Sequence, residues 1–224
     1  MYGFDENGIF DEGSTPKTAT LYGTSKLFGG IAAEALADEN FSVIRLRKGT
    51  ISGYSPRMRF DLLVNTMFKN AMTTGEITVN NPAIWRPVLG MADTIEAYRC
   101  AVRAPFSVSG IFNINSENAT VGDVGRIVHT FFRERGIPVR LTVKDIADKR
   151  NYRVSGEKAR AELGYIPQNS VKSILEELAS HFDSSFDFEN ESYYNIRVFE
   201  KIHKEFAKVS EKSFRASELS VKVL

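Results

Sequence analysis

The chain of 224 residues contains a single cysteine, Cys100, so it forms no internal disulfide and suits a reducing compartment. Cys100 falls in an apolar helical pattern, where a buried structural thiol is the plain expectation. No apolar run approaches the roughly 20 residues of a membrane-spanning helix. Charge of either sign is not in excess: 29 Lys and Arg against 28 Asp and Glu leave +1. That balance gives no electrostatic reason to expect nucleic acid or an anionic membrane as partner. His129, His181 and His203 lie far apart without metal-ligand spacing, so no metal site is expected. No Ser-His-Asp or Cys-His set is legible, and no repeat. A glycine loop following a strand is missing too. Gly122-Asp123-Val124-Gly125 comes nearest, but it sits inside a helical pattern. The first residues are acidic and glycine-rich with no cationic leader, which predicts no signal peptide and a cytoplasmic location. What is present is the composition of a folded, water-soluble chain, 42% hydrophobic and 25% charged.

Helical and strand-like patterns alternate along it. Helices are predicted over residues 25–39, from 59 to a stop at Gly75, 93–103 with Asp93 as N-cap, 120–134, 155–163 and 170–182. Thr120 with Asp123, and Ser170 with Ser173, read as helix-opening pairs. Strands are predicted over 41–46, 77–79, 110–114 and 139–143. From Asp183 the chain turns acidic and aromatic, then helical over 192–209. Tyr193, Tyr194, Phe199, Ile202 and Phe206 are candidates for a packed face there, and Lys201, Lys204 and Lys208 for a solvated one.

Within this alternation, Tyr22-Gly-Thr-Ser-Lys26 carries the sharpest chemistry. At i and i+4 on a helix, a phenol and an ammonium share one face. A tyrosine titrates at about 10, and a fixed cation nearby favours its phenolate. Such a pair suits proton transfer to or from a hydroxyl or carbonyl. By itself the pentapeptide is a weak signal, equally an exposed helix start. Its surroundings are ordered. Tyr2-Gly3 stands twenty residues before Tyr22. Arg47-Lys48-Gly49-Thr50-Ile51-Ser52-Gly53 follows the first predicted strand. Trp85-Arg86-Pro87-Val88-Leu89-Gly90-Met91-Ala92-Asp93 comes later, then Asp148-Lys149-Arg150-Asn151-Tyr152, Lys158-Ala159 and Leu163-Gly164-Tyr165-Ile166-Pro167.

In that order these segments resemble the C-terminal part of an extended short-chain dehydrogenase/reductase. The nearest group is the NAD-dependent epimerases and dehydratases that act on nucleotide sugars. The resemblance spans Tyr2 to about Phe182. It implies an α/β fold: a partial Rossmann-like unit, with one helix and one strand around Tyr22 and Lys26, followed by a smaller α/β substrate-binding domain. The implied division is 1–56, 57–182, and a helical tail over 183–224. Tyr22 and Lys26 fall on the catalytic tyrosine and lysine, which also border the cofactor with Thr50. Arg86, with Arg59, Asn65 and Asp148, would hold the diphosphate and nucleotide of the substrate. NAD or NADP is the implied cofactor, and no metal is implied.

For several of these residues a plainer reading stands alongside. Arg57 and Arg59 equally read as solvated residues at a helix entry, and Asn65 as a surface amide. Trp85 reads as a half-buried strand residue, and Asp148 as a partner of Arg150. The chain also departs from the pattern. The family's cofactor-binding glycine loop and its catalytic serine or threonine find no match, and Gly90 stands where the family has histidine. Two functions therefore remain open. One is an NAD(P)-dependent epimerase, dehydratase or reductase represented by its back half. The other is an inactive binding or interaction module, or one half of a split enzyme completed by a second chain or a homo-oligomer.

Overall fold

A computed structural model describes residues 2, 8–18, 20–146, 151–183 and 185–206. The described elements run β1 (Ile9–Phe10), α1 (Leu21–Glu34), β2 (Ile44–Lys48), β3 (Thr50–Ser52), α2 (Leu63–Thr74), β4 (Glu76–Asn80), β5 (Trp85–Gly90), α3 (Met91–Arg103) and β6 (Gly110–Ile114). They continue with β7 (Glu117–Thr120), α4 (Val121–Arg133), β8 (Arg140–Lys144), β9 (Arg153–Val154), α5 (Glu157–Leu163), α6 (Val171–His181) and a 3-10 turn, Glu191–Tyr193. Residues 195–206 are helical.

Among the described residues, four small sheets organise the α/β fold. β2 pairs in parallel with β6, Ile44 opposite Gly110 and Lys48 opposite Ile114. β3 pairs in parallel with β5, which pairs antiparallel with β7. β4 with β8, and β1 with β9, are parallel pairs. Parallel strands need a covering layer, and two cores provide it. In the first, Leu46 of β2 and Phe112 and Ile114 of β6 pack against Ala97 of α3 and Ala159 and Leu163 of α5. In the second, α2, α4 and α6 close over β4, with Phe68, Val128, Phe132 and Leu175 at the centre. β6 and α5 thus share a core with β2, across the 56/57 division expected from the resemblance. The 183–224 tail likewise begins inside the second core, through Phe188 and Tyr194.

Caps explain several of the helix boundaries. Thr120 and Asp123 form a reciprocal capping box on α4, and Ser170 and Ser173 do the same on α6, as their spacing predicts. Gly75 ends α2 at φ 63°, a conformation that costs other residues more. Several boundaries differ from expectation, in α1, α2 and α3 among others. α1 begins at Leu21, because the Thr20 hydroxyl accepts the Gly23 N–H at 3.0 Å, and it ends at Glu34. α2 starts at Leu63, since residues 53–62 form a loop held by tertiary contacts. α3 starts at Met91 with Gly90 as its N-cap, which leaves Asp93 in the first turn rather than at the cap.

α1 is attached loosely. None of its residues is buried, and Leu21, Phe28 and Ile31 are exposed. Its tie to the sheet is Arg45, whose guanidinium lies across Gly30 and whose Nε stands 3.3 Å from Glu34. Any side chain at position 30 would collide with that guanidinium. Cys100 is half-buried, and its thiol lies 3.7 Å from the Glu96 carboxylate. Burial, together with that carboxylate, pushes the thiol above its usual range. No described helix is long and apolar enough to cross a membrane.

Candidate active site

Tyr22 and Lys26 meet as their spacing requires. In the first two turns of α1 the Lys26 ammonium stands 5.6 Å from the centre of the Tyr22 ring. Both side chains are exposed, Tyr22 at 72%. The Tyr22 hydroxyl makes no hydrogen bond with a described residue, so it is available to an incoming group.

The strand segment after Arg45 brings further candidates together. Thr50 opens β3 and lies beside Val88 of β5, two residues past Arg86. Arg86 is half-buried, opposite Ala119 of β7, and its Nη1 donates to the Trp85 carbonyl at 3.0 Å. Trp85 is half-buried, as expected of a strand tryptophan. The Arg153 guanidinium covers its ring at 4.9 Å, and the Trp85 backbone N–H donates to the Asn151 side chain at 2.9 Å. Thr50 and Arg86 thus share one small sheet, while Tyr22 and Lys26 sit on the separate helix α1.

Two candidates have intramolecular roles. Asn65 is not a surface amide: it is 2% exposed, accepts the Gly53 N–H at 2.9 Å and donates to the Gly53 carbonyl at 3.3 Å. This clamp holds Gly53 at φ 112°, so Asn65 shapes the loop after β3. Arg59 is not simply solvated. Its Nε and Nη2 both donate to Asp61 at 2.9 Å, a bidentate pair that fixes the plane of the guanidinium and leaves Nη1 outward of the pair. Asp148 lies outside the described residues.

Sequence reasoning missed two polar networks. Asp93, 2% exposed, accepts from the Gln168 N–H at 2.8 Å, the Asn169 N–H at 2.9 Å and the Ser116 hydroxyl at 2.5 Å. It joins α3, the β6–β7 turn and the segment before α6. Asn169 also explains Gly90, because a side chain there would strike it. The second network joins Tyr2, Arg47 and Asn113. The Tyr2 hydroxyl donates to Asn113 at 2.7 Å and accepts from Arg47 at 2.7 Å. Burial raises the Tyr2 pKa, with the Arg47 contact opposing it. Two arginines, Arg45 and Arg47, alternating with Ile44 and Leu46 in β2 were the available signal.

The cofactor implied by the resemblance finds a partial fit. Tyr22, Lys26 and Thr50 have the chemistry to meet a ribose and a nicotinamide. The described residues offer no glycine cradle for a pyrophosphate. Gly122 and Gly125 both lie in the first turns of α4, where a Cβ would meet the Pro82 carbonyl oxygen at 2.9 Å and the Val79 side chain respectively. Those glycines serve helix packing. Among the described residues no cluster of His, Cys, Asp or Glu is placed to hold a metal.

No known family profile matches the chain. Solved structures do match. ADP-L-glycero-D-manno-heptose-6-epimerase of Helicobacter pylori superposes with a TM-score of 0.68 at 19% identity, over 80% of this chain and 56% of that one. UDP-glucuronic acid 4-epimerase of Bacillus cereus, solved with UDP-glucuronic acid and NAD, gives 0.67 at 21%, over 79% and 56%. dTDP-glucose 4,6-dehydratase of Bacillus anthracis, solved with NAD, gives 0.67 at 17%, over 88% and 61%. The fold is therefore of the α/β, Rossmann-like class shared by these sugar-nucleotide epimerases and dehydratases. The chain spans little more than half the length of each.

Proposed function

We propose that this chain carries the catalytic tyrosine and the sugar-nucleotide side of an NAD(P)-dependent epimerase, dehydratase or reductase. The observation that carries the reading is the Tyr22–Lys26 pair, formed in the first turns of α1 on a fold shared with such enzymes. Bound NAD or NADP would supply the hydride-accepting carbon. Tyr22 would take the proton of a sugar hydroxyl and return it, and its exposed hydroxyl suits an approaching substrate. Lys26, beside the ring, would donate to a ribose. Arg86 and Arg59 would meet the diphosphate, because guanidinium forks match phosphate oxygens. Asn65 would act indirectly, by fixing Gly53.

A second reading is favoured by one specific arrangement. Among the described residues β2 has β6 as its one paired neighbour, and the helix beside it buries no side chain. A dinucleotide-binding α/β unit, in the same polypeptide or a separate chain, would complete both. Without it the chain serves as a substrate-binding module.

Saturation-transfer NMR tests the sugar-nucleotide reading even for weak, open sites. UDP-glucuronic acid, dTDP-glucose and ADP-heptose are compared with the free sugars. Transfer to at least one nucleotide sugar, reduced in Arg86→Ala, is expected. Absence of transfer to all three overturns the reading.

A further inference from the structure

The loop between β3 and α2, residues 53–62, carries Arg59 and is held in the middle by a distant part of the chain. Phe60 is 1% exposed, and its ring is enclosed by Phe182, Phe186, Phe188 and Tyr193, with centroids at 5.7, 6.2, 5.3 and 5.4 Å. Its N–H donates to the Tyr193 carbonyl at 3.2 Å. Three residues earlier, Arg57 Nη2 donates to the Asn195 side chain at 2.8 Å. At the near end, the Tyr54 ring stacks on His181 at 3.8 Å, and the Tyr54 N–H donates to Glu177 at 3.2 Å. The far segment is itself braced: the Tyr194 hydroxyl donates to the Phe188 carbonyl at 2.6 Å, and Lys69 of α2 stands 3.5 Å from Glu189.

These contacts settle where one cation lies. Arg59 sits between two buried residues, Met58 and Phe60, so its backbone has little freedom while both stay docked. Asp61 fixes the plane of the guanidinium. Without the strap, the loop would keep its anchors at Gly53 through Asn65, at Tyr54 through His181 and Glu177, and at the Phe60 carbonyl, which accepts from Thr66 at 2.7 Å. The stretch between them would lose its lid. Loops gain mobility where buried apolar contacts are few.

We propose that residues 185–195, with Phe182, form a positioning strap that sets the course of residues 53–62 and so delivers Arg59 to the diphosphate of a nucleotide sugar. Tyr193 is its central positioning residue, acting through Phe60. The ligand side of this inference rests on the sugar-nucleotide reading above, whereas the strap itself does not.

Tyr193→Ala and Tyr193→Phe, made in the 224-residue chain, separate the two parts. Hydrogen exchange at the amides of residues 53–62 should quicken at least tenfold in Tyr193→Ala and stay as in wild type in Tyr193→Phe. α4 and β6 should be unchanged in both. The affinity for UDP-glucuronic acid should fall severalfold in the alanine variant and return with phenylalanine. Unchanged exchange over 53–62 overturns the strap. Faster exchange with unaltered UDP-glucuronic acid affinity overturns its positioning role. If Tyr193→Ala loosens α4 as well, Asn195→Ala decides, since it removes only the exposed contact with Arg57. Faster exchange confined to 53–62 then supports the strap, and unchanged exchange overturns it. If wild type shows no contact with UDP-glucuronic acid, the sugar-nucleotide reading falls for that ligand, and the exchange data still decide the strap.

Discussion

Tyr22 shows how differently two residues of one fold answer to mutation. Its ring is mostly exposed and its hydroxyl meets no described partner, so Tyr22→Phe should change stability by no more than about 0.5 kcal/mol. In a form that carries a dinucleotide-binding unit the same change should abolish turnover, because the proposed proton carrier is gone. Near wild-type turnover in that form would remove Tyr22 from the mechanism. Asp93 is the opposite case. It is buried and accepts three hydrogen bonds from two distant parts of the chain. Asp93→Ala leaves those donors unpaired and should cost about 3 kcal/mol, read as a lower urea midpoint at unchanged slope. Arg86→Ala belongs between them. Loss of a charge-assisted contact with a diphosphate should weaken nucleotide-sugar binding by about 1.5–3 kcal/mol and leave free sugar unaffected. Equal weakening of both ligands would mark Arg86 as structural.

At the scale of an element, α4 is the helix whose ends are best specified. The Thr120 hydroxyl accepts the Asp123 N–H at 3.0 Å and donates to the Asp123 carboxylate at 2.6 Å, and Arg126 pairs with the same carboxylate. The Thr120 hydrogen bond, with the Arg126 charge assisting, holds the Asp123 carboxyl below its usual range. A depressed carboxyl stabilises the folded state above its unfolded pKa of about 4, and that contribution is lost as pH falls through the folded value. Wild type should therefore be more stable than Asp123→Asn at pH 7, and the two should converge towards pH 2 in urea titrations. A gap that persists at low pH would assign the effect to shape rather than charge. α1 differs in kind: its N-terminus is capped by Thr20, yet its apolar side chains lack cover, so packing adds little to it.

Over the whole molecule, the two cores are unequal in their surroundings. The second is closed by three helices and the aromatic strap. The first ends at β2, beside exposed Leu21, Phe28 and Ile31 of α1. Among the described residues β2 has β6 as its one paired neighbour, and a strand edge open near apolar surface favours association, so light scattering should show mass rising with concentration. A dinucleotide needs a pyrophosphate cradle, and these 224 residues contain no Gly-x-x-Gly-x-x-Gly spacing. Titration calorimetry should accordingly show no useful NAD binding by the chain alone. Micromolar binding at one site per chain would contradict that expectation.

The sequence by itself determined the alternating α/β order, the caps of α4 and α6, the stop at Gly75 and the Tyr22–Lys26 pair, because each is set by neighbours within a few residues. β6 was readable for the same reason, as a short apolar run. Only the tertiary structure decided that β6 pairs with β2, that Asp93 binds the distant Gln168 and Asn169 amides, and that Asn65 clamps Gly53. Only it drew Phe60 under Phe186 and Tyr193, more than a hundred residues away. Hydrogen-bond pairing and aromatic enclosure are chosen by what burial leaves unsatisfied, and one-dimensional spacing carries no record of that choice.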